Sequence, residues 1–92
     1  MAGVVRLSDF CSGHIGALPR PNISASPNVF CNGIAVHRIG DIWGLHGSPP
    51  HGGTTITGSS NVFANNHAIA RIGDVISCGS TCAHGSSNVF AN

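Results

Sequence analysis

Residues 28–41 read NVFCNGIAVHRIGD and residues 61–74 read NVFANNHAIARIGD, so one fourteen-residue cassette occurs twice. The two halves of a third copy lie at the ends of the chain, with Arg-Leu-Ser-Asp at 6–9 and Asn-Val-Phe at 88–90. Joining the two ends in space completes a third unit. The chain is therefore predicted to form a closed ring of three units, cut open at one turn. A pseudo-threefold object made from one chain indicates a partner with threefold symmetry.

The composition predicts one small all-β domain over residues 1–92. Gly (13) and Pro (5) are frequent, Glu, Lys and Tyr are absent, and no apolar helical period continues beyond about one turn. At this length the burial of apolar surface only just offsets the chain entropy, so we expect a further source of stability.

Charge and hydropathy argue against several classes of partner. A net charge of +1 gives no electrostatic reason to bind nucleic acid or an anionic membrane. No apolar run approaches the roughly 18 residues of a membrane span. The N-terminus lacks the apolar segment of a signal peptide, so the four cysteines are interpreted first as thiols or metal ligands. A disulfide network with three possible pairings is the alternative.

Turn signals follow each Asn-Val-Phe, as Asn32-Gly33 in one copy and Asn65-Asn66 in the next. Both pairs tolerate the positive φ that tight hairpins require. The predicted strand pairs are 29–31 with 35–39, 62–64 with 68–72, and 89–92 with 4–7. Each unit should close with an Arg–Asp ion pair, which uses all three Asp residues of the chain.

Three Gly-rich loops follow the Asp residues and should emerge on the same side of the ring because the units are equivalent. His14 and His46 each lie five residues after an Asp, and Cys78 lies four after the third. One imidazole or thiolate per loop should therefore lie at a comparable height above the ring. This register predicts a metal site formed by the three loops.

The fourth donor is open between three residues. His51 follows a stiff Pro-Pro pair, His84 lies at the same offset from its Asp, and Cys82 is a further candidate. Three His and one Cys form a tetrahedral set suited to zinc, with iron as the alternative.

The remaining His and Cys residues have simpler interpretations. His37 and His67 lie within the cassettes and are expected to be exposed side chains. Cys11 and Cys31 are expected to be buried thiols.

The cassette resembles the PAAR-repeat proteins, which form the tip of the spike in type VI secretion systems and contractile-tailed bacteriophages. The corresponding tetrapeptides are Gly3-Val4-Val5-Arg6, Ala35-Val36-His37-Arg38 and Ala68-Ile69-Ala70-Arg71. None keeps the Pro of the family name, whereas the Arg-x-Gly-Asp, Asn-Val-Phe and Ser-x-Asn frame is present.

The resemblance implies a small cone of three β-hairpin repeats, with long loops that converge on a metal site near the apex. The implied zinc ligands are His14, His46, His51 and Cys78. The implied partner is the trimeric β-helical spike protein, with one tip per trimer and only transient contact with the target membrane. The implied role is mechanical: the tip caps and sharpens the spike and helps it to pierce the cell envelope. Because the cassettes fill the chain, we expect a tip without a toxin domain.

The resemblance implies a location at the tip of a phage baseplate spike or of a type VI needle, and the residues leave that choice open. A free-standing zinc-binding scaffold is the alternative function. A metalloenzyme is a further alternative, in which three His hold the zinc and an activated water is the nucleophile. The chain, however, has no Glu or Tyr to act as the general base. We therefore expect no enzymatic activity.

Overall fold

The computed structural model of the protein describes residues 2–47 and 49–92. The chain is all-β, as predicted, and measures 34 Å by 23 Å by 22 Å. In the described part of the chain no helix is long and apolar enough to cross a membrane. Eight short strands follow one another: β1 (Ala2–Gly3), β2 (Phe30–Cys31), β3 (Ile34–Ala35), β4 (Ile42–His46), β5 (His51–Thr54), β6 (Phe63–Ala64), β7 (His67–Ala68) and β8 (Phe90–Ala91).

Three equivalent antiparallel hairpins correspond to the three predicted units. They are β2–β3, β6–β7 and β8–β1, the last formed by the two ends of the chain. The register of β8–β1 matches that of the other two, since Gly3 pairs with Phe90 as Ala35 pairs with Phe30. At the turns Asn32, Gly33, Asn65 and Asn66 have φ of 55°, 75°, 55° and 66°, which confirms the turn prediction.

The second strand of each hairpin is shorter and lies earlier than predicted. β3 ends at Ala35 and β7 at Ala68, and β1 precedes the predicted residues 4–7. The first residue after each short strand still donates its N–H within the hairpin, Val36 to Val29, Ile69 to Val62 and Val4 to Val89. Beyond that bond the prediction was wrong, because the backbone pairs with neighbouring units. Isolated bridges join Val4 with Arg71, Arg6 with Val36, and Arg38 with Ile69.

A closed ring of backbone hydrogen bonds joins the three units. The N–H of Val5 donates to the carbonyl of Ala70 (3.0 Å), that of Ala70 to His37 (2.9 Å), and that of His37 to Val5 (2.9 Å). These residues occupy the same position, directly before the Arg of each cassette. Each unit therefore holds both neighbours, and the ring is closed although the chain is open.

The predicted Arg–Asp pairs close the three units with N···O distances of 3.0, 2.9 and 2.9 Å. Each Asp also accepts the backbone N–H of its own Arg, which fixes the turn. Burial by itself raises the pKa of Asp41, but hydrogen bonds from Arg38 and Ser24 outweigh it and hold that pKa below its usual value. The pairs are Arg6–Asp9, Arg38–Asp41 and Arg71–Asp74.

The core consists of two thin layers. The hairpin layer contains the buried residues Val4, Cys31, Val36, Ala64, Ile69 and Ala91. The loop layer contains Val5, Cys11, Trp43, Ala70, Ile76 and Cys82. Cys11 and Cys31 are buried free thiols, as predicted.

The second of the three loops contains regular structure that the sequence analysis did not predict. It folds into the β4–β5 hairpin, whose register shifts between Trp43 and His46. The sequence analysis treated this segment only as a Gly-rich loop. The glycines at 52 and 53 are part of β5, and Gly53 pairs with Trp43 of β4.

His37 is fully buried, which contradicts the expectation of an exposed side chain, whereas His67 is exposed as expected. The Nδ1 of His37 lies 2.9 Å from the carbonyl oxygen of Ser24, and the Nε2 of His37 lies 2.7 Å from Oγ1 of Thr55. Trp43 Nε1 donates to the same Thr55 oxygen at 2.8 Å. The imidazole is thus the polar centre of the loop layer, with both nitrogens hydrogen-bonded.

We predict that His37 makes the fold sensitive to acid. Burial lowers the pKa of His37, partly opposed by the hydrogen bond to Ser24 and by Asp41. As the pH falls, the unfolded chain therefore binds a proton at this histidine before the folded chain does. The contribution of neutral His37 to the free energy of unfolding is complete above about pH 6.5 and falls below it, by at most about 1.4 kcal/mol per pH unit. Urea midpoints at pH 7.5, 6.5 and 5.5 should show a smaller decline for His37→Gln than for wild type.

His67→Gln is the matched control for this prediction, because His67 is exposed. It should reproduce the wild-type pH profile, including any part that comes from other histidines. Equal profiles for His37→Gln and wild type would contradict the assigned role of His37.

The seam between β8 and β1 gives a second prediction. Asn92 takes the position of Asn32 in the repeat, so joining Asn92 to a chain that carries Met1→Gly creates the Asn-Gly turn of the first hairpin. Cyclisation restricts the unfolded chain and should stabilise the fold by roughly 2–4 kcal/mol, or a rise in Tm of about 10 °C or more. The cyclised chain that keeps Met1 is the control and should gain less, because positive φ is costly for Met. A lower Tm after cyclisation would contradict the closed ring.

Candidate metal centre

The three loops bring His14, His46, His51 and Cys78 together. Their ligand atoms all lie within 4.8 Å of one another. His14 Nε2 is 3.0 Å from His51 Nε2, and Cys78 Sγ is 3.6 Å from His46 Nε2. Cys78 packs against the loop layer, so the cluster lies on the side of the core away from the hairpins. We refer to this group as the His3Cys cluster.

Strand pairing fixes two of these side chains. His46 ends β4 and His51 begins β5, and the two are register partners, so both side chains leave the same face of the hairpin. His14 opens a two-residue turn in the first loop, where it exchanges backbone hydrogen bonds with Ala17 at 3.0 and 2.9 Å. Backbone hydrogen bonds directly beside His14 thus brace this turn.

Cys78 is presented by a tight turn of the third loop. The N–H of Gly79 donates to the carbonyl of Ile76 at 2.9 Å, and Gly79 has a φ of 99°. The turn lies close against β5, since a Cβ added at Gly53 would lie 2.8 Å from Ser77 Oγ. A side chain at position 53 would therefore crowd Ser77 and the backbone nitrogen of Cys78, which would lie 3.3 Å from the added Cβ.

The hydrogen bonds of the three rings point their free nitrogens at one another. The Nδ1 atoms lie 3.2, 2.9 and 3.1 Å from the carbonyl oxygens of Ile15, Leu18 and Pro49. We assign the proton to each Nδ1, because a carbonyl can only accept. Every Nε2 then carries a lone pair that faces the centre of the cluster. Carbonyl acceptors of this kind commonly orient metal-binding histidines.

This arrangement fits a metal ion. Two lone pairs that face each other at 3.0 Å, those of His14 and His51, repel unless a cation lies between them. Bond lengths of about 2.0 Å to nitrogen and 2.3 Å to sulfur separate tetrahedral ligand atoms by roughly 3.3 to 3.6 Å. The observed separations of 3.0 and 3.6 Å are close to these values, and the widest, at 4.8 Å, exceeds them by about 1 Å.

The other two candidates for the fourth ligand lie elsewhere. His84 is exposed and packs edge-to-face against Phe10, with ring centroids 6.0 Å apart. Cys82 is buried in the loop layer, where burial and the nearby Asp74 raise the pKa of its thiol to about 12. A thiol that stays protonated is a poor metal ligand. The structure therefore groups His51 with the other three residues.

The protein-family model for the PAAR motif matches residues 45–92, just over half of the chain. The chain belongs to the PAAR-repeat family. It is thus a PAAR-repeat protein of contractile injection systems, as the sequence analysis predicted. The motif indicates a role at the tip of the spike, and PAAR proteins in general sit on VgrG-type spikes. No curated protein matches the chain.

The end of this PAAR protein that carries the hairpins displays three equivalent phenylalanines. Phe30, Phe63 and Phe90 are 60%, 58% and 50% exposed, while the residue after each is buried in the hairpin layer. Asparagine amides join the hairpins beside them, Asn32 to Asn88 at 2.9 Å and Asn65 to Asn28 at 2.8 Å. We call Phe30, Phe63 and Phe90 the phenylalanine triad.

The sequence analysis missed the groups that orient the cluster. The carbonyls of Ile15, Leu18 and Pro49 are backbone groups, so no residue type in the sequence marks them. They are recognised only in the structure, where each lies within 3.2 Å of a histidine Nδ1. The threefold equivalence did offer a signal for His37. It takes the place of Val5 and Ala70, both fully buried.

Proposed function

We propose that this PAAR protein caps the blunt end of a trimeric β-helical spike, one chain per trimer. The observation that carries the proposal is the phenylalanine triad, three equivalent apolar side chains held by a closed pseudo-threefold ring. A monomer with such a surface can offer the same contact to each of three identical chains. Neither a monomeric nor a dimeric partner would use all three positions.

The chemistry of the hairpin end supports a spike partner. The end of a trimeric β-helix exposes three strand edges with unpaired backbone groups. The amide groups of Asn28, Asn32, Asn65 and Asn88 lie beside the triad and can both donate and accept hydrogen bonds. The nearby charges are neutralised in Arg–Asp pairs, so apolar and amide contacts should dominate.

In this proposal the His3Cys cluster holds zinc as a structural ion. His14, His46 and His51 would bind it through Nε2 and Cys78 through Sγ. The ion would cross-link the three loops, and binding energy that requires the folded arrangement is folding energy. Three nitrogens and one thiolate suit zinc better than a hard cation such as magnesium.

We propose a mechanical rather than an enzymatic role. Four protein ligands form the closed set of a structural zinc site, whereas catalytic zinc keeps a position for water. The side chains of Asp9, Asp41 and Asp74 are each held by an Arg partner, so the described residues offer no free side-chain carboxylate as a general base. The tip would transmit the force of the machine to the target envelope, in a phage tail or in a type VI system.

The direct test is co-migration with a soluble trimeric β-helical spike fragment in size-exclusion chromatography. The fragment should bind the chain when its blunt end is intact and lose it when the terminal β-helical turn is deleted. A chain that migrates alone as a monomer with both fragments would favour the free-standing zinc-binding scaffold instead.

A further inference from the structure

Large apolar side chains surround the His3Cys cluster and face solvent. Ile15, Leu18 and Leu45 are 101%, 70% and 66% exposed, the highest values among the large apolar residues of the described chain. Each is tied to a ligand: Ile15 and Leu45 adjoin His14 and His46 in sequence, and the carbonyl of Leu18 accepts from His46 Nδ1. We call these three residues the apical rim.

Ile15 lies in a hydrogen-bonded two-residue turn of the first loop. The residues on either side of the turn exchange two backbone hydrogen bonds, His14 with Ala17, and Gly16 takes a φ of 82°. Backbone hydrogen bonds therefore flank Ile15, whose side chain is fully exposed. Full exposure of an isoleucine costs solvation free energy that burial against an apolar phase would recover.

A single cation accompanies the rim. Arg20 Nε donates to the carbonyl of Leu45 at 3.0 Å. In the part of the chain that the structure describes, it is the one Arg outside the three Arg–Asp pairs. Every Asp is engaged by an Arg in those pairs, so no free carboxylate opposes an anionic surface there. Exposed apolar side chains beside a cation are typical of surfaces that insert into the membrane interface.

We propose that the apical rim binds the headgroup and acyl boundary of a lipid bilayer, with Arg20 contacting lipid phosphate. The rim side chains are 66% to 101% exposed and so offer apolar contacts outward, around which a fluid bilayer can deform. The inference rests on the proposed function in one respect, that the hairpin end faces the spike and leaves this end free. It adds an intrinsic affinity for lipid to a tip whose action would otherwise be purely mechanical.

Vesicle flotation with the zinc-loaded chain tests the inference. The wild type should float with vesicles of phosphatidylethanolamine and phosphatidylglycerol, and more weakly with phosphatidylcholine alone. Ile15→Ser should lower the partition coefficient about tenfold, because the apolar side chain no longer inserts. Arg20→Gln should lower it about fivefold on the anionic vesicles and leave phosphatidylcholine binding unchanged.

Ile56→Ser is the matched control, since Ile56 is 53% exposed and lies outside the rim. It should change the partition coefficient by less than about twofold. Absence of wild-type binding would overturn the inference, as would equal losses for Ile15→Ser and Ile56→Ser. Binding that survives Ile15→Ser and disappears with Phe63→Ser would assign the affinity to the hairpin end and equally overturn it. A spike complex that forms normally alongside any of these results would leave the proposed function intact.

Discussion

Cys78→Ser is expected to weaken zinc binding by at least about 100-fold and to lower the Tm by more than about 15 °C. In the proposed zinc site Cys78 would be the one anionic ligand, and a hydroxyl is a poor replacement for it. Structural zinc contributes on the order of 10 kcal/mol in small domains, comparable with the whole stability of a domain of this size. Elemental analysis and thermal unfolding of the purified chain, before and after chelation, measure both effects.

His84→Ser is the control for this experiment, because His84 lies with Phe10 and outside the cluster. It should keep one zinc per chain and the wild-type Tm. A wild-type chain that carries no metal, or a Cys78→Ser chain with full zinc content and unchanged Tm, would contradict the assigned ligand set.

Replacing the phenylalanine triad together, Phe30→Ser with Phe63→Ser and Phe90→Ser, is expected to weaken binding to the spike fragment by at least about 100-fold. Each side chain is at least half exposed, so the fold should lose little, whereas burial of aromatic side chains dominates many protein interfaces. Isothermal titration of the trimeric fragment with the zinc-loaded variant gives the Kd. Zinc content should stay at one per chain, because the triad and the His3Cys cluster lie on opposite sides of the core.

The chain offers a matched triple control for this variant. Phe10, Ile42 and Val75 are also equivalent in the three units, directly after each Asp, and are 41%, 50% and 39% exposed. Their joint replacement by Ser should change the Kd by less than about fivefold. A larger loss for this set than for the phenylalanine triad would show that the spike contacts the flank of the cone and not its hairpin end.

The hairpins could be predicted from the sequence because their signals are local. Asn32-Gly33 and Asn65-Asn66 need positive φ, and the equal spacing of the cassettes fixes where the Arg–Asp pairs close them. The ends of the second strands could not be predicted. Residues 36–39 continue the strand pattern, but the backbone N–H groups of His37 and Ile39 donate to Val5 and Ala68 of the neighbouring units, and no local rule contains that information.

The same distinction applies to the His3Cys cluster. His14, His46 and Cys78 follow the repeat register, so their spacing predicted that they lie on three equivalent loops and belong to one cluster. His51, His84 and Cys82 could not be separated by spacing, because the choice depends on the β4–β5 pairing that joins His46 to His51. The apical rim had no sequence signal either, since exposure of Ile15 depends on the turn that holds it.

The central claim is that one closed ring of three units caps one trimeric spike. Native mass spectrometry of the chain purified with a trimeric spike fragment tests this claim most directly, because it counts the chains in the complex. The account predicts a complex of three spike chains, one PAAR chain and one zinc ion. Three PAAR chains per trimer, or no complex at all, would contradict it.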